Sequence, residues 1–279
     1  MSQGEPEHPT SGAGPSTAAE VLRMTGITKE FPGIRALDRV DFDVRAGEVH
    51  ALIGENGAGK STLMNVLAGR FADYRGEIQF RGSAVRLANP RQALKMGIAV
   101  IYQELNVLGN LTVAENIMLG HEPAGKVPGT INREKMREAA QKTLAHLHFD
   151  LPVDQRVGQL SAARQCMVEI ARAMHGDVRL MVFDEPTASL GDEDVEKLFE
   201  VIRELKGRGL GMIYISHRLA ELPRIADRVS VLRDAKMVGT RAMAGCKLSE
   251  LTTMMLGREL IEVFPRKTNT PGDVVLKVD

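Results

Sequence analysis

GEVHALIGENGAGKSTLMNVLAG, residues 47–69, decides the reading of the chain. A short apolar run, EVHALIG (48–54), leads into Gly54-Glu55-Asn56-Gly57-Ala58-Gly59-Lys60-Ser61-Thr62, which fits G-x-x-x-x-G-K-[ST]. A helical pattern follows over Thr62–Ala68. Strand, glycine-rich turn and helix in that order make a phosphate cradle. Glycine is needed where backbone amides turn inward, because a Cβ would block the close approach. The helix N-terminus adds aligned N–H groups and the positive end of a dipole. In such a loop Lys60 reaches the β- and γ-phosphates and the Ser61 hydroxyl ligates Mg²⁺. The ligand expected here is therefore a nucleoside triphosphate with its magnesium ion.

Outward from this loop, strand-length apolar runs alternate with helical patterns: VDFDV (40–44), IAVIYQ (98–103), RLMVFDEP (179–186), GMIYISH (211–217) and RVSVLRD (228–234). Runs such as Leu180–Phe183 and Met212–Ile215 are too short for helices and suit the covered strands of a parallel sheet, which predicts α/β architecture. After the strand near Ile98 the chain reads as helical, through TVAENIML (112–119), NREKMREAAQKTLAHLH (132–148) and SAARQCMVEIARAM (161–174). In the second, Met136, Ala139, Ala140, Leu144 and Leu147 recur at helical spacing. A helical subdomain at about 104–178, set into a sheet-based core, is the expected arrangement. Residues 1–18 are rich in Gly, Pro, Ser, Thr and Glu and read as a disordered tail. At the other end, EVFPRKTNTPGD (262–273) reads as a linker, and VVLKV after it as a strand that begins and stops. Both a terminal edge strand and a chain that ends just inside a second domain fit that pattern.

Leu180–Phe183 deliver Asp184 and Glu185 to the end of a strand, where α/β sheets bind ligands. Asp184 suits Mg²⁺ held through water, and Glu185 suits polarisation of an attacking water. No N-K-x-D motif appears, which argues against a GTPase. With 36 Lys+Arg against 36 Asp+Glu in 279 residues, the chain lacks the basic excess of a nucleic-acid binder. Cys166 and Cys246, the two cysteines, cannot build a disulfide scaffold, and no C-x-x-C pair suggests zinc; a reducing, cytosolic compartment is expected. No run approaches the 18 apolar residues that mark a membrane span, and the N-terminus has no signal-peptide pattern. His50, His146, His148 and His175 show no ligand-like clustering and read as structural or surface residues, and Cys166 reads as a buried thiol.

Taken together these motifs resemble the ATP-binding cassette ATPases over roughly Val21 to Arg258. Gln103 in IYQEL resembles the Q-loop glutamine, Leu160-Ser161-Ala162-Ala163-Arg164-Gln165 the signature motif, Ala188-Ser189-Leu190-Gly191 the D-loop, and His217 in YISHRL the switch histidine. Phe31, in KEFPGIRAL, sits where the family places an aromatic that stacks on adenine. The wording of residues 47–69, of MVEIARAM and of GREL-IEVFPR is similar to the first cassette of bacterial monosaccharide importers, in which two cassettes share one chain.

The resemblance implies a P-loop NTPase core with a mostly parallel sheet, an antiparallel β subdomain and a helical subdomain, the cassette spanning 19–260. It implies that 261–279 are a linker and the first strand of a second cassette. Two cassettes would close head to tail around ATP, each nucleotide lying between one P-loop and the other cassette's Ser161–Ala163 region. Residues 54–62 and Phe31 would hold the nucleotide, Ser61, Gln103 and Asp184 the magnesium, Glu185 the water, and His217 the γ-phosphate. Implied partners are the second cassette, membrane permease subunits met near Gln103–Leu111, and a periplasmic or lipid-anchored sugar-binding protein, with no nucleic acid. The implied location is peripheral, on the cytoplasmic face of the bacterial membrane. Two departures stand out: Ala162, Ala163 and Arg164 replace the G-G-Q of the usual signature, and Gly191 replaces the usual D-loop Asp. Two readings compete with the importer. A soluble cassette ATPase in DNA repair or translation fits the motifs. The roughly 100 residues between P-loop and signature, however, are too few for the long insertions of DNA-repair members, and the linker at 262–273 is too short to show the charged arm of translation members. A P-loop small-molecule kinase leaves the signature, the D-loop and His217 unexplained.

Overall fold

The computed structural model describes residues 19–188 and 190–257. The expected tail at 1–18, D-loop residue Ser189, and the linker and strand at 261–279 lie outside the described residues. In chain order the elements are β1 (Glu20–Phe31), β2 (Ile34–Arg45), β3 (Val49–Ile53), α1 (Lys60–Leu67), β4 (Arg75–Phe80), β5 (Ser83–Val85), α2 (Pro90–Met96), β6 (Ile98–Ile101) and α3 (Val113–Ile117). Then come α4 (Arg133–His146), α5 (Ala162–Ala173), β7 (Leu180–Asp184), α6 (Asp192–Gly207), β8 (Gly211–Ile215), α7 (Leu222–Ile225), β9 (Arg228–Arg233), β10 (Lys236–Ala242) and α8 (Leu248–Leu256). No helix among the described residues is long and apolar enough to cross a membrane.

Apart from VDFDV, which falls in β2 of the second sheet, the apolar runs form one sheet in the order β10-β9-β3-β8-β7-β6, parallel except for edge strand β10. β3 and β8 are buried at every residue, as strands covered on both faces must be. Burying Phe183, Tyr214 and Phe199 together contributes several kcal/mol from area alone, at roughly 25 cal/mol per Å². The second sheet, β2-β1-β4-β5, is antiparallel and shares a core with one face of the parallel sheet, where Leu52, Val182 and Ile213 meet it and Leu63, Met64 and Leu67 of α1 join. The helix carrying the P-loop lysine is thus wedged between both sheets. On α4, Met136, Ala140, Leu144 and the following Leu147 are buried and Ala139 partly so, as the 3.6-residue spacing predicts. Cys166 is buried among apolar side chains, which push its thiol up to about 12. It is a packing residue.

His50 on β3 is the core's one fully buried histidine among the described residues. Its Nδ1 lies 2.6 Å from the Asp43 carbonyl, so that nitrogen donates, and Nε2 accepts from the Ser230 hydroxyl at 2.8 Å. Burial, helped by the Arg228 charge, pushes His50 down from 6.5 to about 4. The unfolded chain takes up this proton near 6.5 and the folded chain only near 4. The stability from neutral His50 is therefore complete above pH 6.5 and falls as the pH drops towards 4. Denaturant unfolding at pH 7 and pH 4.5 should show a loss of about 2–3 kcal/mol from this group. His50→Gln should flatten that part of the profile.

Candidate functional site

β3 ends at Ile53 and the chain turns sharply at Gly54, where a Cβ would come within 2.1 Å of the Leu232 carbonyl oxygen. At Gly59 the backbone is left-handed (φ +111°) and a Cβ would lie 2.5 Å from the Ala36 oxygen. These two glycines exist for close approach, as the sequence pattern requires. Gly59 is also the N-cap of α1 and provides no side-chain cap. The first amides of α1 are left to an anion.

A cavity of about 720 Å³ opens over this turn. Asn56, Gly57, Gly59, Lys60, Ser61 and Thr62 line it, together with Gln103 and Glu185. Lys60 is buried, and its ammonium donates to the Gly54 and Glu55 carbonyls at 2.8 and 3.1 Å. Burial pulls its pKa down, while the carboxylates of Glu185 and Asp184 oppose that shift. Asp184, at the end of β7, is pushed up by burial and then by Glu185, against the pull of Lys60. Glu185 adopts φ +51°, uncommon for a residue with a side chain and worth about 1–3 kcal/mol of strain. Its amide donates to the Ile215 carbonyl at 3.0 Å, which continues the β7–β8 pairing beyond Asp184. The same pairing sets His217, two residues past β8, against it: Nδ1 lies 3.1 Å from Glu185 Oε2. Lys60, Ser61, Gln103, Glu185 and His217 are thus one constellation, although four separate segments supply them.

Gly54, Glu55 and Ala58 shape the turn from behind, the Ala58 amide donating to the Glu55 carbonyl at 3.1 Å. Phe31 stands outside the cavity lining. Its ring packs edge-on against Phe71 at 5.3 Å, with the Lys29 ammonium 4.7 Å from the ring centroid. Its register partner across the hairpin, Ile34, does line the cavity, together with Arg35 and Ala36. Asp234 and Ala235 complete the rim, both at positive φ (50° and 65°) in the β9–β10 turn. Sequence reading misses these rim residues because nothing in R-D-A-K marks a left-handed pair without glycine.

Ser161 and Ala163 lie elsewhere. Ser161 caps α5, accepting from the Arg164 amide at 3.5 Å, and faces a separate hollow shared with Arg164, Gly191 and Asp192–Asp194. Ala163 is buried in the first turn of α5, and its backbone does not need the left-handed conformation that glycine would favour. P-loop and signature therefore face different hollows in one chain.

The family model described as ABC transporter matches residues 37–188, more than half of the chain. The chain belongs to the ABC transporter family. This cassette is 46% identical over 93% of its length to the putative ribose/galactose/methyl galactoside import ATP-binding protein 3 of Burkholderia ambifaria, covering 51% of that protein. It is 46% identical over 92% of its length to the ribose import ATP-binding protein RbsA 1 of Rubrobacter xylanophilus, again covering 51%. The ABC cassette spans about half the length of the curated relatives it matches. Among solved structures, a nucleotide-free ATP-binding cassette from an ABC transporter superposes with TM-score 0.72 at 30% identity, over 85% of this chain and 95% of its own. An ABC cassette in its ADP conformation gives 0.72 at 28%, over 86% and 99%. The architecture is that of an ABC ATPase cassette, an α/β core with a mostly parallel sheet, an antiparallel sheet and helices, and such domains bind ATP.

The donor set also fits magnesium. Ser61 and Gln103 line the cavity, and Asp184, next to Glu185 at the end of β7 but outside the cavity lining, is a partly buried carboxylate whose pKa burial raises. Mg²⁺ takes one or two protein oxygens, with waters and phosphates filling the rest. The described residues hold no cluster of three or more His, Cys, Asp or Glu that would make an all-protein cage.

Proposed function

We propose that this cassette binds and hydrolyses ATP to energise the import of a monosaccharide. The observation that carries the reading is the meeting of Lys60, Ser61, Gln103 and Glu185 around one cavity, with His217 on Glu185. Lys60 exchanges its two carbonyl partners for β- and γ-phosphate oxygens. The open amides of the loop and of α1 take the remaining phosphate contacts. Ser61, Gln103 and Asp184 would hold Mg²⁺ through oxygen and water, and the bound ion would supply neutralising charge at the phosphates. Glu185 orients and polarises the attacking water, and His217 holds Glu185 and contacts the γ-phosphate. Adenine lies against the β1–β2 hairpin, beside Phe31 and Ile34.

Because Ser161 faces another hollow, the site is completed by the signature of a second cassette. The relatives named above are import ATP-binding proteins, which favours the importer over DNA repair or translation. The segment Gln103–Leu111 has an exposed Leu108 and is our candidate contact for the permease, with a sugar-binding protein completing the system outside the membrane. The cassette would then work at the cytoplasmic face. Reconstitution with the permease and binding protein, assayed for ATPase and uptake across a panel of monosaccharides, tests the reading. Sugar-stimulated hydrolysis with uptake supports it, and hydrolysis indifferent to every sugar refutes it.

The altered signature serves the weaker of the two ATP sites in this scheme, and the P-loop of this chain serves the hydrolytic one. Ala162→Gly with Ala163→Gly in the assembled transporter should then change turnover less than about twofold, at a stability cost of roughly 1 kcal/mol per position from helix propensity. A large rise in turnover would sink that assignment.

A further inference from the structure

Glu221 follows β8 by six residues and is almost wholly buried, yet it forms no part of the phosphate cavity. Three hydroxyls converge on its Oε2: Tyr214 at 2.8 Å, Thr187 at 3.0 Å and Ser216 at 3.2 Å. Arg218 lies 3.6 Å from the other carboxylate oxygen, and its guanidinium also reaches the Ala188 carbonyl at 3.5 Å. The Arg218 amide donates to Ser216 Oγ at 2.9 Å. Tyr214 is on β8 itself, and the other partners come from two different loops. Thr187 and Ala188 follow Glu185 after β7, and Ser216 and Arg218 flank His217 after β8. Burial and the Glu221 charge both raise the Tyr214 phenol, so it stays a donor to this carboxylate.

We propose that Glu221 is a positioning residue that ties the loop bearing Glu185 to the loop bearing His217 and so fixes the contact between them. The inference rests on the reading that those two residues act on ATP. A buried carboxylate with three hydroxyl donors is a rigid joint, because withdrawing it leaves all three hydroxyls without their acceptor in a desolvated place. β7 and β8 set where the two loops begin, and Glu221 sets how they continue.

Two measurements test this. In the chain itself, Glu221→Gln keeps the shape but gives up an acceptor site and the charge opposite Arg218. Amide hydrogen exchange should quicken in both loops, around 185–190 and around 216–219, while the P-loop and α1 keep wild-type protection. Quickening in one loop alone, or in none, overturns the proposal. In the assembled transporter, Glu221→Gln should lower kcat about tenfold with KM for ATP within about threefold. Combined with His217→Ala it should add little to the loss that His217→Ala causes alone, and multiplicative losses overturn the proposal. If Glu221→Gln does not fold, Thr187→Val removes one donor, keeps the carboxylate, and should give the same paired exchange pattern at smaller amplitude. A wild-type assembly that hydrolyses no ATP would refute the proposed function, and the exchange data would still decide on the tie.

Discussion

Glu185→Gln is expected to lower ATP turnover of the assembled transporter by about 10²–10⁴-fold while nucleotide still binds. The side chain lines the same cavity as the P-loop, and its carboxylate meets His217 at 3.1 Å. The amide keeps the size and can still meet His217, but it cannot take a proton from water. The P-loop amides, Lys60 and Ser61 are untouched, so equilibrium binding of ATP should stay within a few-fold. The structure adds a second expectation. The Glu185 charge is one cause of the raised Asp184 pKa, so removing it relieves a like-charge pair. Glu185→Gln should melt no lower than wild type at neutral pH. A slow variant that also melts early would mean damage to the fold; unchanged turnover would refute the role given to Glu185.

Gly59→Ala should abolish tight nucleotide binding and cost about 2–5 kcal/mol of stability. The backbone there is left-handed, and the new methyl would meet the Ala36 oxygen at 2.5 Å and Leu37 Cδ2 at 3.0 Å. The nearest obstacle is a backbone atom of β2, which cannot step aside as a flexible side chain would. Relief has to come from the loop, moving the first amides of α1 away from the phosphate position. Denaturant unfolding and nucleotide titration on the same sample check both effects. Gly57→Ala is the control, since its Cβ would meet nothing within 4 Å and only the left-handed backbone (φ +83°) penalises it. Equal losses at both positions would show that space around Gly59 is not what matters.

Much of the site was legible because its parts are local. The P-loop declares itself in nine consecutive residues, and Asp184 and Glu185 stand directly behind four apolar ones. Gln103 and His217 were placed by order and resemblance, and the parallel register then brings His217 onto Glu185. The β1–β2 hairpin was less legible. Its register shifts repeatedly, so the burial of β1 breaks strict alternation, and period-two reading fails there. Phe31 illustrates the limit: its place at the hairpin end follows from sequence, but its packing on Phe71 does not. Helix α2 is bounded by Asn89, Pro90 and Gly97, yet seven residues are too few for a helical period to show. Glu221 was invisible for a different reason. In sequence it is one acid among many, and only the fold surrounds it with hydroxyls.

The two carbonyl contacts of Lys60 bear on which ligands the loop admits. A phosphate chain must offer the ammonium at least as much as Gly54 and Glu55 already do. Adenosine or its monophosphate brings no β- or γ-oxygens, so on the proposed reading it would gain nothing from Lys60. Each further phosphate shifts the exchange towards the ligand. If Lys60 meets the phosphates as proposed, discrimination by the length of the phosphate chain would be set within this chain, by an ammonium that already has two backbone acceptors.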